Sequence, residues 1–181
     1  MTLTIRLEDI FSRFLMKTES YDLFDVNISD KMRSELLCSY ARSAISEPFV
    51  RRLFLAVWLT EPYFGMDEDG TFKIDGLIEA TFVREVDEYA DEDFLCEILA
   101  YGMLLAWIEP KVNSLVNLKQ FIGEADSKFY SQQTHLNALR DLRDDIEIKR
   151  NRLIDQRGTF YNDYLEGEAL TATLRKTSAT G

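Results

Sequence analysis

FYSQQTHLNALRDLRDDIEIKRNRLIDQRGTFYNDYLE, residues 129–166, holds no proline and a single glycine, Gly158. Leu139, Leu142, Ile146, Leu153, Phe160 and Tyr164 recur along it at steps of three, four or seven. That spacing lays them on one stripe of an α-helix. At 1.5 Å per residue the helix is roughly 50 Å long, well beyond the usual length of about 11–12 residues. Charge covers the remaining surface. A narrow apolar stripe on a long charged rod needs a partner, either the rest of this chain or a neighbouring copy. Lys149 and Arg150 interrupt the stripe between Ile146 and Leu153. A polar break of that kind can set register against a partner. Arg143 with Glu147, and Asp145 with Lys149, stand four residues apart. Such pairs stabilise a helix surface by about 0.2–0.5 kcal/mol each.

The segments before this rod are also mainly helical. LEDIFSRFLMK (Leu7–Lys17) puts Leu7, Ile10, Phe11 and Phe14 on one face, which predicts a short amphipathic helix. Residues 18–27 have no period and read as a loop. Ser29 or Asp30 can cap a second helix running to about Ile45. Its apolar face uses Met32, Leu36, Leu37, Tyr40, Ala41 and Ala44. Pro48 suits the first turn of a helix reaching Trp58, although the bulky run LFLAVWL leaves a buried strand open. Turn signals crowd residues 60–76. Residues 71–74 and 77–83 can pair as a hairpin about Asp75-Gly76; a helix over 77–85 is the alternative. Residues 60–87 are thus expected to be an acidic loop or hairpin insertion. Asp91 is expected to cap a core helix that Pro110 ends. A further helix follows over residues 111–122, burying Val112, Leu115, Val116, Leu118 and Ile122, with Gly123 as its left-handed stop. Residues 167–181, GEALTATLRKTSATG, carry too few large apolar groups for a core. They are expected to be either an unstructured tail or an arm that orders on a partner. The expected fold is mainly α: a helical bundle of five or six helices over residues 1–166, a long C-terminal helix, a small hairpin insertion and an extended tail.

Composition sets limits on function. The chain has 181 residues and a net charge of −11. Residues 61–99 contain thirteen acidic and two basic side chains, and the remainder is balanced. The excess is therefore local. It argues against general binding to phosphate backbones and suits a solvated face, a dock for a basic partner, or a channel lining past which DNA slides. Cys38 and Cys96 are the two cysteines; in apolar helical surroundings they read as buried free thiols. The N-terminus lacks the pattern of a secretory signal. The longest apolar run, residues 98–108, is too short to span a bilayer.

Candidate chemistry is sparse. Asp67-Glu68-Asp69-Gly70 resembles a calcium loop only superficially, because Gly65 would occupy the first ligand position. His135 is the one histidine. Gln132 stands where a Glu-x-x-His di-iron pair needs a carboxylate, and one histidine with two distant cysteines lacks zinc-ligand spacing. The chain has no nucleophile elbow and no phosphate-binding glycine loop. Sequence leaves a pairing of His135 with Cys38 or Cys96 open, but no spacing favours it. No catalytic, cofactor or metal residue is assigned.

Three segments carry a resemblance. They are SAISEPFVRRLF (residues 43–54), EILAYGMLLAWIEPKVNSLVNLKQFIG (residues 97–123) and KFYSQQTHLNALRDLRDDIEIKRNRLIDQRGTFYNDYLEG (residues 128–167). Together they resemble a family of small virion proteins of tailed bacteriophages, the head–tail connector or adaptor proteins of the neck. The pattern RG-x-x-YN-x-YLEG (residues 157–167) is the most specific piece. The resemblance implies a mostly helical, non-enzymatic subunit that joins other copies in a ring, often of twelve, beneath the portal. Such a ring extends the DNA channel without reading sequence and receives the next neck or tail component. It implies a place in the virion neck, after synthesis in the host cytoplasm, with no membrane and no cofactor. The expected interface is the charged face of the long helix (Arg140, Arg143, Asp145, Lys149, Arg150, Arg157), its aromatic end (Phe160, Tyr161, Tyr164) and the tail (Leu170, Leu174, Arg175). The alternative is a soluble helical adaptor or regulatory protein that binds one partner through its long helix.

Overall fold

The computed structural model describes residues 2–18, 29–60, 62–66, 72–86, 88–121 and 127–160. In chain order the elements are β1 (Thr2–Arg6), α1 (Leu7–Lys17), α2 (Asp30–Ser46), α3 (Pro48–Arg51), β2 (Phe54–Leu59), β3 (Tyr63–Met66), β4 (Phe72–Asp75), β5 (Leu77–Phe82), α4 (Glu88–Phe121) and α5 (Ser127–Phe160). The described part is mostly helical with a small three-stranded antiparallel sheet. α1, α2 and α5 pack on α4, which also touches β1. α4 is the axis because Leu95, Ile98, Leu99, Ala100, Met103 and Ile108 are fully buried along it. A helix apolar on nearly every side has to lie inside its domain.

α1 has the expected bounds, and the four apolar residues of its face are buried. Ser29 caps α2 by accepting from the Met32 amide at 3.3 Å. Along α2 the buried face is Leu37, Cys38, Ala41, Ala44 and Ile45. Met32, expected inside, is 53% exposed, since nine residues separate it from Ala41 and put it on the opposite face of the helix. Gly102 of α4 marks where the two helices come closest. A Cβ built there meets the Ala44 Cβ at 2.7 Å, so a small pair on facing helices sets their spacing.

The sheet was the largest departure from expectation. Its order is β1-β5-β2. β5 pairs antiparallel with β1 (Leu3 opposite Ala80, Ile5 opposite Ile78) and with β2 (Val57 opposite Ala80). Leu3, Ile5, Val57, Ile78, Ala80 and Phe82 are buried, while Thr2, Thr4 and Arg6 face out. Period-two burial of this kind belongs to a sheet with one dry face. The helix expected from Pro48 to Trp58 stops at Arg51, and the run after it becomes β2. Pairing with β5 satisfies its backbone while Phe54 and Val57 turn into the core, the buried strand that the run LFLAVWL left open. Leu77–Phe82 is the central strand of this sheet, not part of an insertion. The expected hairpin about Asp75-Gly76 does not form: β4 pairs with β3, and β5 with β1 and β2. Gly76 is small for another reason. An added Cβ would lie 2.5 Å from Leu7 Cδ1, and the Leu7 amide donates to the Gly76 carbonyl at 2.9 Å.

Two helix boundaries also differ. α4 begins at Glu88, so Asp91 lies in its first turn instead of capping it. Its carboxylate accepts from the Val86 amide at 3.1 and 3.3 Å. Pro110 does not end the helix; α4 continues through it to Phe121. An interior proline costs roughly 3 kcal/mol, and burial of Trp107, Ile108 and Val112 on both sides offsets that loss. Val112 is buried as expected. The side chains of residues 115–121, the stop at Gly123, the loop over 19–28, Asp67-Glu68-Asp69-Gly70 and the stretch from 161 onward lie outside the described residues.

Candidate functional site: the charged face of the last helix

α5 separates the charged residues of the expected interface into two groups. Arg140, Asp145 and Lys149 are exposed, and Arg143 is half-buried. Lys149 Nζ meets an Asp145 oxygen at 2.6 Å in the expected i,i+4 pair. Arg143 does not reach Glu147. It pairs with its neighbour Asp144 at 2.6 Å. The hydrogen bonds to Asp145 and Asp144 raise the Lys149 and Arg143 pKa values. Exposed pairs like these contribute about 0.2–1 kcal/mol, so this face is available for contacts without being committed to them.

Arg150 and Arg157 are different. They are 2% and 7% exposed, inside the subunit and not on its outer face. Arg150 Nη1 pairs with Glu47, the residue between α2 and α3, and the guanidinium lies 6.0 Å from the Phe49 ring. Arg157 Nη1 meets Asp91 Oδ1 at 2.6 Å, and its Nη2 donates to the Arg84 carbonyl at 2.8 Å. The same guanidinium lies 4.0 Å from the Phe82 ring and 4.7 Å from Phe94. A desolvated cation over aromatic faces gains about 2 kcal/mol or more. Glu47 and Asp91 are therefore partners that sequence reasoning missed. The signal was in the spacing. Leu139, Leu142, Ile146, Arg150, Leu153 and Arg157 follow steps of three and four without a gap. The two arginines are members of the stripe, not interruptions of it. Phe160 ends α5; Tyr161, Tyr164, Leu170, Leu174 and Arg175 lie outside the described residues.

The acidic excess is partly neutralised by α1. Arg13 bonds Asp93 at 2.6 Å and Glu97 at 3.2 Å, and Lys17 bonds Glu97 at 2.7 Å. Glu88 and Glu92 are exposed, as is Tyr89 at 84%. His135 is exposed on α5 and borders a shallow depression with Pro110, Lys111, Ser114 and Leu139. Cys38 and Cys96 are buried free thiols, each pushed up to about 11 by burial, the opposite of what a nucleophilic thiolate needs. Among the described residues, no three His, Cys, Asp or Glu side chains gather where they could hold a metal ion. No described helix is long and apolar enough to cross a membrane. Comparison with protein-family models, with curated proteins and with solved structures found no match to this chain.

Proposed function

We propose that this chain is a virion structural protein, a head–tail connector subunit that forms a ring of about twelve copies beneath the portal of a tailed phage and joins head to tail. The motif resemblance over residues 43–54, 97–123 and 128–167 motivates the reading. One structural observation carries it. α5 keeps one side locked into the subunit through Arg150 and Arg157, and its exposed flanks carry both signs of charge, Arg140 on one and Asp145 with Lys149 on the other. A helix of 34 residues, about 51 Å long, with both signs of charge along it, suits head-to-tail contact between identical copies, each offering cation to anion. The residual acidic surface at the start of α4 suits a channel wall or a dock for a basic partner. On this reading the protein has no catalytic residue, and its partners are itself, the portal and the next neck component.

Cryo-electron microscopy of intact particles tests the reading. The expected result is density for this fold in a symmetric ring between portal and tail. Absence of the chain from particles overturns it, and capture of one soluble partner by α5 in that case would favour the adaptor alternative.

A further inference from the structure

The sheet runs β1-β5-β2, so β1 and β2 are its outer strands, each with one side that pairs with no strand among the described residues. The Leu7 amide donates to the Gly76 carbonyl at 2.9 Å, one step beyond the Arg6–Leu77 pair. Bonding alternates along an antiparallel ladder, so Leu3 and Ile5 aim their backbone groups at β5, and Thr2, Thr4 and Arg6 aim theirs away. The Thr60 amide donates to the Leu77 carbonyl at 2.9 Å, which by the same alternation turns the backbone groups of Val57 and Leu59 outward. The Val57 carbonyl accepts from Arg51 Nη1 at 2.8 Å and has a second lone pair for another donor. Neither strand carries a lysine or a proline, the usual guards of an edge.

We propose that β2 of one copy pairs with β1 of the next, extending the sheet from subunit to subunit around the ring. The inference rests on the connector reading. Three observations identify a second copy as the occupant. First, β1 and β2 both run antiparallel to β5 and are therefore parallel to each other. A copy set beside the first in the same orientation brings its β1 along β2 as a parallel pair, and repeating that step gives head-to-tail contacts that can close a ring. Second, the side chains of the two edges match. Thr4 and Trp58 both stand opposite Glu79, which places Thr4, Arg6 and Trp58 on the outer face of the sheet. With Ile5 set beside Val57, at roughly 5 Å between strands, apolar meets apolar on the inner face, and Arg6 of the next copy comes over Trp58. The Arg6 side chain is 68% exposed and bonded to Asp9 at 3.4 Å, a long pair that leaves it able to turn. Arginine over tryptophan is the most favourable cation–aromatic combination. Third, the contact covers what is otherwise bare. Leu55, at the irregularity of β2, is 69% exposed, and Trp58 is 46% exposed. A closed ring leaves neither edge open to other chains.

Cross-linking in intact particles tests it. Thr4→Cys and Ala56→Cys are placed in one chain, since Thr4 of one copy lies beside Ala56 of its neighbour in this register. Thr4 is exposed and Ala56 half-buried, so folding is preserved, and Cys38 and Cys96 are buried and do not compete. Particles are treated with a short bis-maleimide and resolved by denaturing electrophoresis. The expected result is a ladder of two, three and more linked copies, at least tenfold above the native chain, with T4C or A56C alone giving monomer. T2C/A56C, two residues out of register, should give at least fivefold less product. A ring seen by cryo-electron microscopy without a ladder would overturn this inference and leave the connector reading standing; absence of the chain from particles would overturn both. Dimers from A56C alone would show β2 meeting β2, and equal yields from the two double variants would show no defined register; either result refutes the pairing.

Discussion

Replacing Arg157 by methionine removes a buried cation while keeping most of its apolar stem. In the native chain the Asp91 and Arg157 side chains are 4% and 8% exposed and meet at 2.6 Å. Taking one member from a buried pair costs about 3–5 kcal/mol, chiefly because the other charge stays behind without its partner. Loss of the contacts to Phe82 and Phe94 acts in the same direction but overlaps with that term, so about 4 kcal/mol is expected. For a chain of this length that lowers Tm by roughly 10 °C. Asp91→Asn in the R157M background removes the stranded charge. The Asn oxygen still accepts from the Val86 amide, so the double variant should lose only about 1–2 kcal/mol. Measured by urea unfolding followed by circular dichroism, the double variant should therefore be about 2–3 kcal/mol more stable than R157M alone, and the single-variant costs should not add. Lys149→Ala, which opens an exposed pair, should cost under about 0.5 kcal/mol. A loss below about 1 kcal/mol for R157M, or single-variant costs that simply add, would refute the claim that this pair holds α5 in place.

Two other substitutions test the packing. Gly102→Ala should destabilise by about 1–3 kcal/mol through overpacking against Ala44, despite a gain of about 1 kcal/mol in helix propensity; an unchanged or raised Tm would contradict the close approach of α2 and α4. Burial raises the Cys38 and Cys96 thiols from 9.0 to about 11, so the folded chain keeps protons that the unfolded chain releases. The corresponding stability is complete below about pH 9 and lost as pH rises through 11, by up to about 2–3 kcal/mol per thiol at 1.36 kcal/mol per unit. A C38A/C96A variant should show a flatter decline in urea midpoint between pH 8 and 10.5, and equal slopes would count against buried thiols.

Local patterns in this chain were readable where the neighbours that matter are near in sequence. α1 declares itself through four apolar residues at helical spacing, and α2 through its serine cap. The sheet was hidden because its pairings join residues far apart: Thr2 stands opposite Thr81, and Phe54 opposite Phe82. Five residues of TLTIR alternate in a strand's manner, but a strand that short has no meaning until β5 is beside it. Asp75-Gly76 suggested a hairpin because the dipeptide is a turn signal, while the glycine answers to the approach of Leu7. The arginines of α5 were misread for a different reason. Charge was equated with exposure, although their spacing already placed them on the buried stripe, and their acids, Glu47 and Asp91, are two among thirty-two carboxylates.

Arg150 and Arg157 stand one heptad apart on α5, and each meets its own acid on a different part of the subunit. The arrangement works like a lock with two pins. If α5 slid back by seven residues, about 10.5 Å, Arg157 would face Glu47, but Asp91 would lose its arginine. One pair would re-form and the other acid would remain buried alone, at about 3–5 kcal/mol. A slide of one turn would lose both. Apolar side chains tolerate such slippage, because leucine packs about as well against one leucine as the next. The two cations do not, and they give a long helix of repetitive sequence a single seat in its subunit.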